Sequence, residues 1–319
     1  MTVRILANDG IDDAGKSLFE KAGFAVSTDN ITQDNLINEI KNYDVLLVRS
    51  ATKVTREVID AGHLKVIGRA GVGMDNIDLV YAKEKGIAVY NTPSASSTSV
   101  AELVFAHLLG LCRNLPVSNR IMPTEGDVKF KALKKEASDG AELLGKTLGI
   151  IGFGRIGQEA ARIAIGCGMK VIAHDPFVKE ATVKVGFHSE MSSETINVTI
   201  QTIGLTSLLN QADFITLHMP GMGKPVLSTP EFDSMKPGVG IVNCARGGVV
   251  DEQALLVALN SGKVKFAGLD VFEKEPPVFM DILAHPHVSL SPHIGASTSE
   301  AQERVGIELA TSVINHFSK

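Results

Sequence analysis

The stretch GKTLGIIGFGRIGQEAARIAIGCGMKVIAHD, residues 145–175, decides how the chain folds. An apolar run is followed by Gly152, Gly154 and Gly157, then by an Ala-rich segment of helical period, then by a second apolar run ending at Asp175. Strand, glycine turn, helix and strand in that order form half of a doubly wound α/β sheet. Gly152 permits the tight turn, Gly154 lets the backbone approach a pyrophosphate, and Gly157 lets helix and strand pack closely. The N–H groups at the helix start, on Arg155 and Ile156, then face the anion. Asp175 stands where a carboxylate accepts bonds from adenosine ribose hydroxyls and repels a 2′-phosphate. No Arg follows at once in HDPFVKE, so NAD is expected rather than NADP, although Lys179 lies four residues on.

Outward from this stretch, short β-rich runs alternate with helical periods almost from end to end. One series of strands reads at 3–8, 24–29, 43–50, 64–71 and 87–93, and a second at 146–152, 170–175, 213–219, 240–245, 265–270 and 287–291. Between them, 96–115 reads as a long buried helix, and 296–317 reads as a closing helix that packs back on the first series. The expected architecture is α/β with two domains: a Rossmann-type NAD-binding domain, 96–291, inserted into a flavodoxin-like substrate domain built from 1–95 and 292–319. Residues 120–142, polar and punctuated by Pro and Gly, and 186–204, rich in Ser and Thr without clear amphipathicity, read as surface excursions.

With 319 residues the chain is about twice a typical domain. A net charge of -5 gives no pull toward polyanions or acidic membranes, so neither nucleic acid nor membrane is an expected partner. The three cysteines, Cys112, Cys167 and Cys244, lack metal-ligand spacing, and no metal site is expected. The N-terminal run MTVRILANDG lacks the parts of a secretory signal, and a cytoplasmic location is expected.

Arg246 in VNCARGGVVDE, Glu275 in LDVFEKEPP and His293 in SPHIGAST fall at the ends of three successive expected strands, the edge where open α/β sheets bind ligands. Singly, each also reads as an ion pair, a loop carboxylate or an exposed histidine. Together with VRSATKVT (48–55), GRAGVGMDNID (68–78), NTPSASSTSVAEL (91–103), GKTLGIIGFGRIG (145–157) and PHIGAST (292–298), these strings resemble the D-isomer-specific 2-hydroxyacid dehydrogenase family over essentially the whole chain. Within it they are most similar to the D-3-phosphoglycerate dehydrogenases.

The resemblance implies that Arg246, Glu275 and His293 are catalytic, and the chemistry requires such groups. Oxidising an alcohol removes its hydroxyl proton as hydride leaves the same carbon, and imidazole exchanges a proton near neutral pH. A nearby carboxylate fixes the ring tautomer and favours the imidazolium, and a guanidinium grips the substrate carboxylate bidentately. The family pattern further implies cofactor contacts at Cys244, Ala245, Asp270, Gly295 and Ala296. Substrate contacts fall at Arg49, Ser50 and Gly71, with Arg69 as a weaker candidate and Lys131, Lys134 and Lys135 as additional charge.

The implied reaction is 3-phosphoglycerate to 3-phosphohydroxypyruvate, the first step of phosphorylated serine biosynthesis, by a homodimer without a C-terminal regulatory domain. The same trio would serve a glyoxylate or hydroxypyruvate reductase or a D-lactate-type enzyme; a non-catalytic NAD-sensing corepressor is the alternative of another class. Ser96, Val72 and Met219 depart from the phosphoglycerate pattern, as does the absence of any Trp, and these departures bear on the substrate more than on the reaction.

Overall fold

The computed structural model describes residues 2–188 and 193–318. The chain divides into two compact units, Met1–Ser99 with Ala296–Lys319, and Val100–Gly295. Each boundary lies four residues beyond the one read from the sequence.

The first unit holds β1 (Arg4–Ala7), α1 (Asp13–Lys21), β2 (Ala25–Ser27), α2 (Gln33–Glu39), β3 (Val45–Val48), α3 (Arg56–Ala61), β4 (Val66–Arg69), α4 (Leu79–Glu84) and β5 (Ala88–Asn91). The five strands form a parallel sheet in the order β2-β1-β3-β4-β5, the flavodoxin-like winding. Such a sheet is buried on both faces, which is why its strands read as unbroken apolar runs. Leu6, Leu46, Val48 and Ile67 pack on one side with Leu36 and Val58, while Ile5, Ala7, Val45, Leu47 and Val66 pack on the other with Phe19.

The chain leaves this unit within α5 (Ser97–Cys112), which α6 (Leu115–Glu136) follows. The second unit continues with β6 (Thr147–Ile151), α7 (Arg155–Gly166), β7 (Lys170–His174), β8 (Glu180–His188), β9 (Ser193–Gln201), α8 (Leu205–Gln211), β10 (Phe214–Leu217), α9 (Thr229–Ser234), β11 (Val239–Asn243), α10 (Glu252–Asn260), β12 (Val264–Leu269), α11 (Met280–Leu283) and β13 (Val288–Leu290). Its six-stranded parallel sheet runs β13-β12-β11-β10-β6-β7, wound in both directions from β6 as in a Rossmann domain. One face is covered by α5, α7 and the β8–β9 hairpin, the other by α8, α9 and α10.

Two stretches read as surface excursions are regular structure. Residues 120–142 lie largely in α6, whose 22 residues hold Pro116 in the first turn and Pro123 in the interior. Pro123 removes one backbone bond without ending the helix. Arg120 anchors this stretch by donating to the Val288 carbonyl at 2.7 Å, and Glu125 pairs with Lys129 one turn on. Of the 186–204 stretch, residues 186–188 and 193–201 belong to the antiparallel hairpin of β8 and β9, and residues 189–192 lie outside the described residues. Its apolar signal has period two: Ala181, Val183, Val185, Val198 and Ile200 join the α7 cluster, and the Ser and Thr residues fall largely on the open face. Among the described residues no single helix is long and apolar enough to cross a membrane.

The last helix, α12 (Ser299–Phe317), returns to the first unit. Thr298 caps it, accepting the Ala301 N–H, and Leu309, Ala310 and Val313 enter the core beside Phe19. It crosses α1 backbone against backbone: a Cβ on Gly15 would lie 2.7 Å from the Gly306 carbonyl carbon, too close for any side chain. Gly15→Val is therefore expected to destabilise the first unit by about 1–3 kcal/mol, the usual cost of overpacking a tight contact. A urea midpoint equal to that of the unsubstituted protein would show that the two helices have room to part.

Candidate active site

Because the six strands of the second unit are parallel, everything that follows a strand emerges at one edge. The turn after β6 carries Gly152, Gly154 and Gly157, and Asp175 follows β7 directly. Arg246 follows β11, Glu275 follows β12 and His293 follows β13, three adjacent strands. Sequence position alone separates these residues by up to about 140 places; the sheet brings them to one rim.

The glycine turn is built for close approach. Gly152 has φ +92, and a Cβ there would meet the His218 carbonyl. A Cβ on Gly157 would strike the Gly152 carbonyl, whereas the space beside Gly154 is open. The first intrahelical bond of α7 is Gln158 N–H to Gly154 O, so the N–H groups of Arg155, Ile156 and Gly157 precede the ladder and are left for an anion. Arg155 stands exposed at this helix start, where a cation opposes the helix dipole unless an anion sits between. A pyrophosphate fits this turn.

Asp175 does more than the sequence indicates. Its Oδ2 accepts the Phe153 N–H at 2.8 Å, and its Oδ1 accepts those of Phe177 and Val178 at 2.8 and 3.0 Å. Burial acts to raise its pKa, but the N–H groups of Val178, Phe153 and Phe177 outweigh it and hold the carboxyl below the usual aspartate range. The carboxylate is thus fixed in its charged form beside the glycine turn, with a lone pair of Oδ2 left for a ribose hydroxyl.

On the other half of the rim, His293 Nδ1 lies 2.8 Å from Glu275 Oε2. Both side chains are about two-fifths exposed, open to a ligand rather than sealed in the core. His293 sits at φ +55, a left-handed conformation that costs a non-glycine residue roughly 1–2 kcal/mol. It is held there by three bonds to one residue: His293 N–H donates to the Asp270 carbonyl at 2.8 Å, Ile294 N–H to Oδ1 at 2.8 Å and Gly295 N–H to Oδ2 at 2.9 Å. Ala296, next along, gives its carbonyl to Gln302 at 2.7 Å.

The Arg246 and Glu275 loops touch through backbone, since a Cβ on Gly247 would overlap the Phe272 carbonyl. They are clasped further on by Glu252 and Glu273, each accepting the other's backbone N–H at 2.7–3.0 Å. Arg246 is oriented by its own loop: Nη1 donates to Ala245 O at 2.7 Å, and Asn243 Nδ2 donates to Arg246 O at 2.9 Å. Cys244 is buried, and burial pushes its thiol well above the usual range, so it packs as a small apolar residue. Among the described residues no group of three or more His, Cys, Asp or Glu is placed to hold a metal ion.

In the first unit, Arg49 and Ser50 lie on the loop after β3, and Gly71, at φ +144, on the loop after β4. The Arg69 guanidinium fills the place that a Gly71 side chain would take. Residues that the sequence reading passed over fix this loop. Asp9 accepts the Arg49 and Thr52 N–H groups at 2.6 and 3.1 Å, and Asn76 Nδ2 donates to the Arg49 and Thr52 carbonyls at 2.8 and 2.6 Å. Asp9 and Asn76 carry no pattern of their own; only the spatial neighbourhood of β1, β3 and β4 reveals them. Among the described residues the half-buried Arg49 guanidinium forms no ion pair, whereas Arg56, Lys65 and Lys85 of the same unit pair with Asp78, Asp44 and Asp60.

A sheet of this winding, with a glycine turn and a histidine–carboxylate pair on one rim, is that of a dinucleotide-dependent oxidoreductase. The chain belongs to the D-isomer-specific 2-hydroxyacid dehydrogenases: residues 105–295 match the model of that family's NAD binding domain. It is 45% identical to the hydroxypyruvate reductase of Thermotoga maritima, over 98% of each chain. It is 43% identical to the D-3-phosphoglycerate dehydrogenase of Methanocaldococcus jannaschii, over 98% of this chain but only 57% of that longer protein. Among solved structures, the NAD+-bound 3-phosphoglycerate dehydrogenase of Entamoeba histolytica superposes with a TM-score of 0.79 at 26% identity, over 100% of this chain and 96% of that one. The protein is accordingly an NAD-dependent D-2-hydroxyacid dehydrogenase.

The fixed charge of Asp175 sets the expected cofactor choice. Replacing Asp175→Ala removes both a charge-assisted bond to the ribose and the repulsion of a 2′-phosphate, so the ratio of kcat/KM for NADH over NADPH should fall about tenfold or more. An unsubstituted enzyme that uses both cofactors equally would remove Asp175 from this role.

Proposed function

We propose that the chain interconverts 3-phosphoglycerate and 3-phosphohydroxypyruvate with NAD, using Arg246, Glu275 and His293 for the chemistry and Arg49 for the phosphate. The observation that carries the phosphate assignment is the Arg49 guanidinium, half-buried, without a counter-ion among the described residues, on a loop whose backbone Asp9 and Asn76 hold still. A cation so placed answers a dianionic group. The similarity to the M. jannaschii enzyme supports the same reading.

Bound NAD supplies the hydride acceptor in the direction of oxidation. The turn at Gly152, Gly154 and Gly157, with the N–H groups of Arg155 and Ile156, would hold the pyrophosphate, and Asp175 would hold the ribose. Backbone at Cys244, Ala245, Gly295 and Ala296 would line the cofactor, and Asp270 fixes the 293–295 loop. His293 Nδ1 is committed to Glu275, so Nε2 faces the substrate and takes the hydroxyl proton. Glu275 then lies against the imidazolium that forms and stabilises it. Arg246 grips the substrate carboxylate through two N–H groups and aligns the reacting carbon. Ser50 and Gly71 offer backbone and hydroxyl contacts at the substrate.

A second reading, an unphosphorylated hydroxypyruvate as substrate, is favoured by the T. maritima relative, which matches this chain at full length. The trio would act in the same way. We further propose that the enzyme is a homodimer joined through α6, where Leu115, Met122, Val128 and Phe130 stand exposed.

His293→Ala is expected to lower kcat by about a hundredfold or more with little change in NADH affinity. A variant turning over at close to the normal rate would exclude His293 from proton transfer. Arg49→Ala should chiefly raise KM for 3-phosphohydroxypyruvate and leave kcat/KM for hydroxypyruvate nearly unchanged, since the phosphate is remote from the reacting carbon. Equal losses on both substrates would dismiss a phosphate site at Arg49 and favour the unphosphorylated acid.

A further inference from the structure

α5 places a histidine, His107, against the sheet of the second unit, 5% exposed and far from the usual setting of a titratable side chain. The sequence makes room for it. A Cβ on Gly268 of β12 would lie 2.8 Å from the His107 Cβ, so only glycine leaves space for the ring. Ser289 on β13 and Ser291, just past its end, stand two residues apart and turn their hydroxyls to the same ring. His107 Nδ1 lies 2.8 Å from Ser289 Oγ, and Nε2 lies 2.9 Å from Ser291 Oγ. Ser291 Oγ in turn reaches Asp270 Oδ1 at 2.6 Å.

The direction of every hydrogen in this chain follows from its end. Asp270 receives backbone N–H groups on both oxygens, so it is the acceptor and the Ser291 hydroxyl donates to it. With that hydrogen committed, Ser291 Oγ accepts from His107, and the ring proton resides on Nε2. Nδ1 is then bare and accepts the Ser289 hydroxyl. Burial favours this neutral ring, lowering the His107 pKa against the opposing charge of Asp270. One order of protons satisfies every group, and such a closed buried network holds its members in one arrangement.

A buried imidazole and two hydroxyls offer no packing advantage over three apolar side chains of like size, since their desolvation offsets most of the hydrogen-bond gain. What the network adds is orientation. We propose that His107 is a positioning residue for hydride transfer: through Ser291 it locks the rotation of the Asp270 carboxylate, and through Asp270 it locks the 293–295 backbone that presents the His293 ring. The inference rests on the reading of His293 as the acid–base group.

The experiment compares His107→Leu, His107→Gln and Ser291→Ala with His293→Ala on whichever 2-oxo acid the enzyme reduces fastest. Rates are expressed per NADH-binding site, together with Tm, NADH Kd and the isotope effect from deuterated NADH. His107→Leu keeps the ring's volume and removes both bonds; kcat should fall about tenfold or more, with KM and NADH Kd within about twofold, as for loss of alignment rather than binding. The isotope effect on kcat should rise as the chemical step becomes slower. His107→Gln, which retains a donor and an acceptor, should recover most of kcat even where its Tm is no higher than that of the Leu variant. If His107→Leu yields no folded protein, Ser291→Ala, which cuts the chain at its last link, carries the same expectation.

A His107→Leu or, failing that, Ser291→Ala enzyme with normal kcat per site overturns the proposal, as does a kcat that merely follows Tm across the series. His293→Ala distinguishes the two levels. Normal turnover in that variant overturns the acid–base reading itself, whereas an inactive His293→Ala beside a fully active His107→Leu overturns the relay alone.

Discussion

Asp270 is 1% exposed at the end of β12, and its carboxylate is committed to the loop that follows the neighbouring strand. Its own backbone N–H donates to Asn243 O, at the end of β11, and its carbonyl receives the His293 N–H. Asn243 meanwhile accepts from Ala245 and donates to Arg246 O. The Arg246 and His293 loops are therefore both referred to one residue, and neither can shift without breaking a bond to a buried charge or to its immediate neighbour. A hydrogen bond to a charged group contributes about 1.5–3 kcal/mol, and the loop makes two to this carboxylate, together more than the roughly 1–2 kcal/mol of strain in the left-handed backbone of His293. The strained conformation persists because the alternative is worse.

The first unit solves a similar problem with different parts. Asp9 lies at the end of β1 as Asp270 lies at the end of β12, and it too gathers N–H groups and a hydroxyl from the loop after another strand. Asn76 takes up that loop's carbonyls. In both units a carboxylate at one strand end immobilises the loop of another, so that a positively charged or titratable side chain is carried on a rigid base. The bonds run between strands that are neighbours in space and 24 to 43 residues apart in sequence.

That separation explains what could be read from the chain beforehand. The parallel strands were legible because burial on both faces demands unbroken apolar runs, and the glycine turn because spacing and context coincide at Gly152, Gly154 and Gly157. Arg246, Glu275 and His293 were legible as polar residues at strand ends. α6 was not, because Pro123 and Gly126 are locally unfavourable and the contacts that hold the helix, such as Arg120 to Val288, are 168 residues apart. Nor was the hairpin, because its apolar residues alternate with Ser and Thr in period two and show no helical face. His107 reads on its own as one more residue of an apolar helix. Its meaning requires Gly268, Ser289 and Ser291, which only the sheet brings beside it.

The glycines of the second unit show how the site acquires its precision. At Gly152, Gly157 and Gly247 an added Cβ would meet backbone, so these residues mark places where main chain meets main chain without an intervening side chain, while Gly268 leaves room for the His107 side chain. Each sacrifices about 0.5–1 kcal/mol in conformational entropy relative to alanine. Side-chain packing tolerates small adjustments of rotamer; backbone against backbone does not, because the atoms in contact belong to the hydrogen-bonded frame of the sheet. Gly152 and Gly157 set the separation of β6, α7 and the chain at His218; Gly247 sets that of the Arg246 and Glu275 loops. The distances along this rim are thus fixed by the main chain, and the His293 ring need only be oriented by the Glu275 and Asp270 carboxylates beside it.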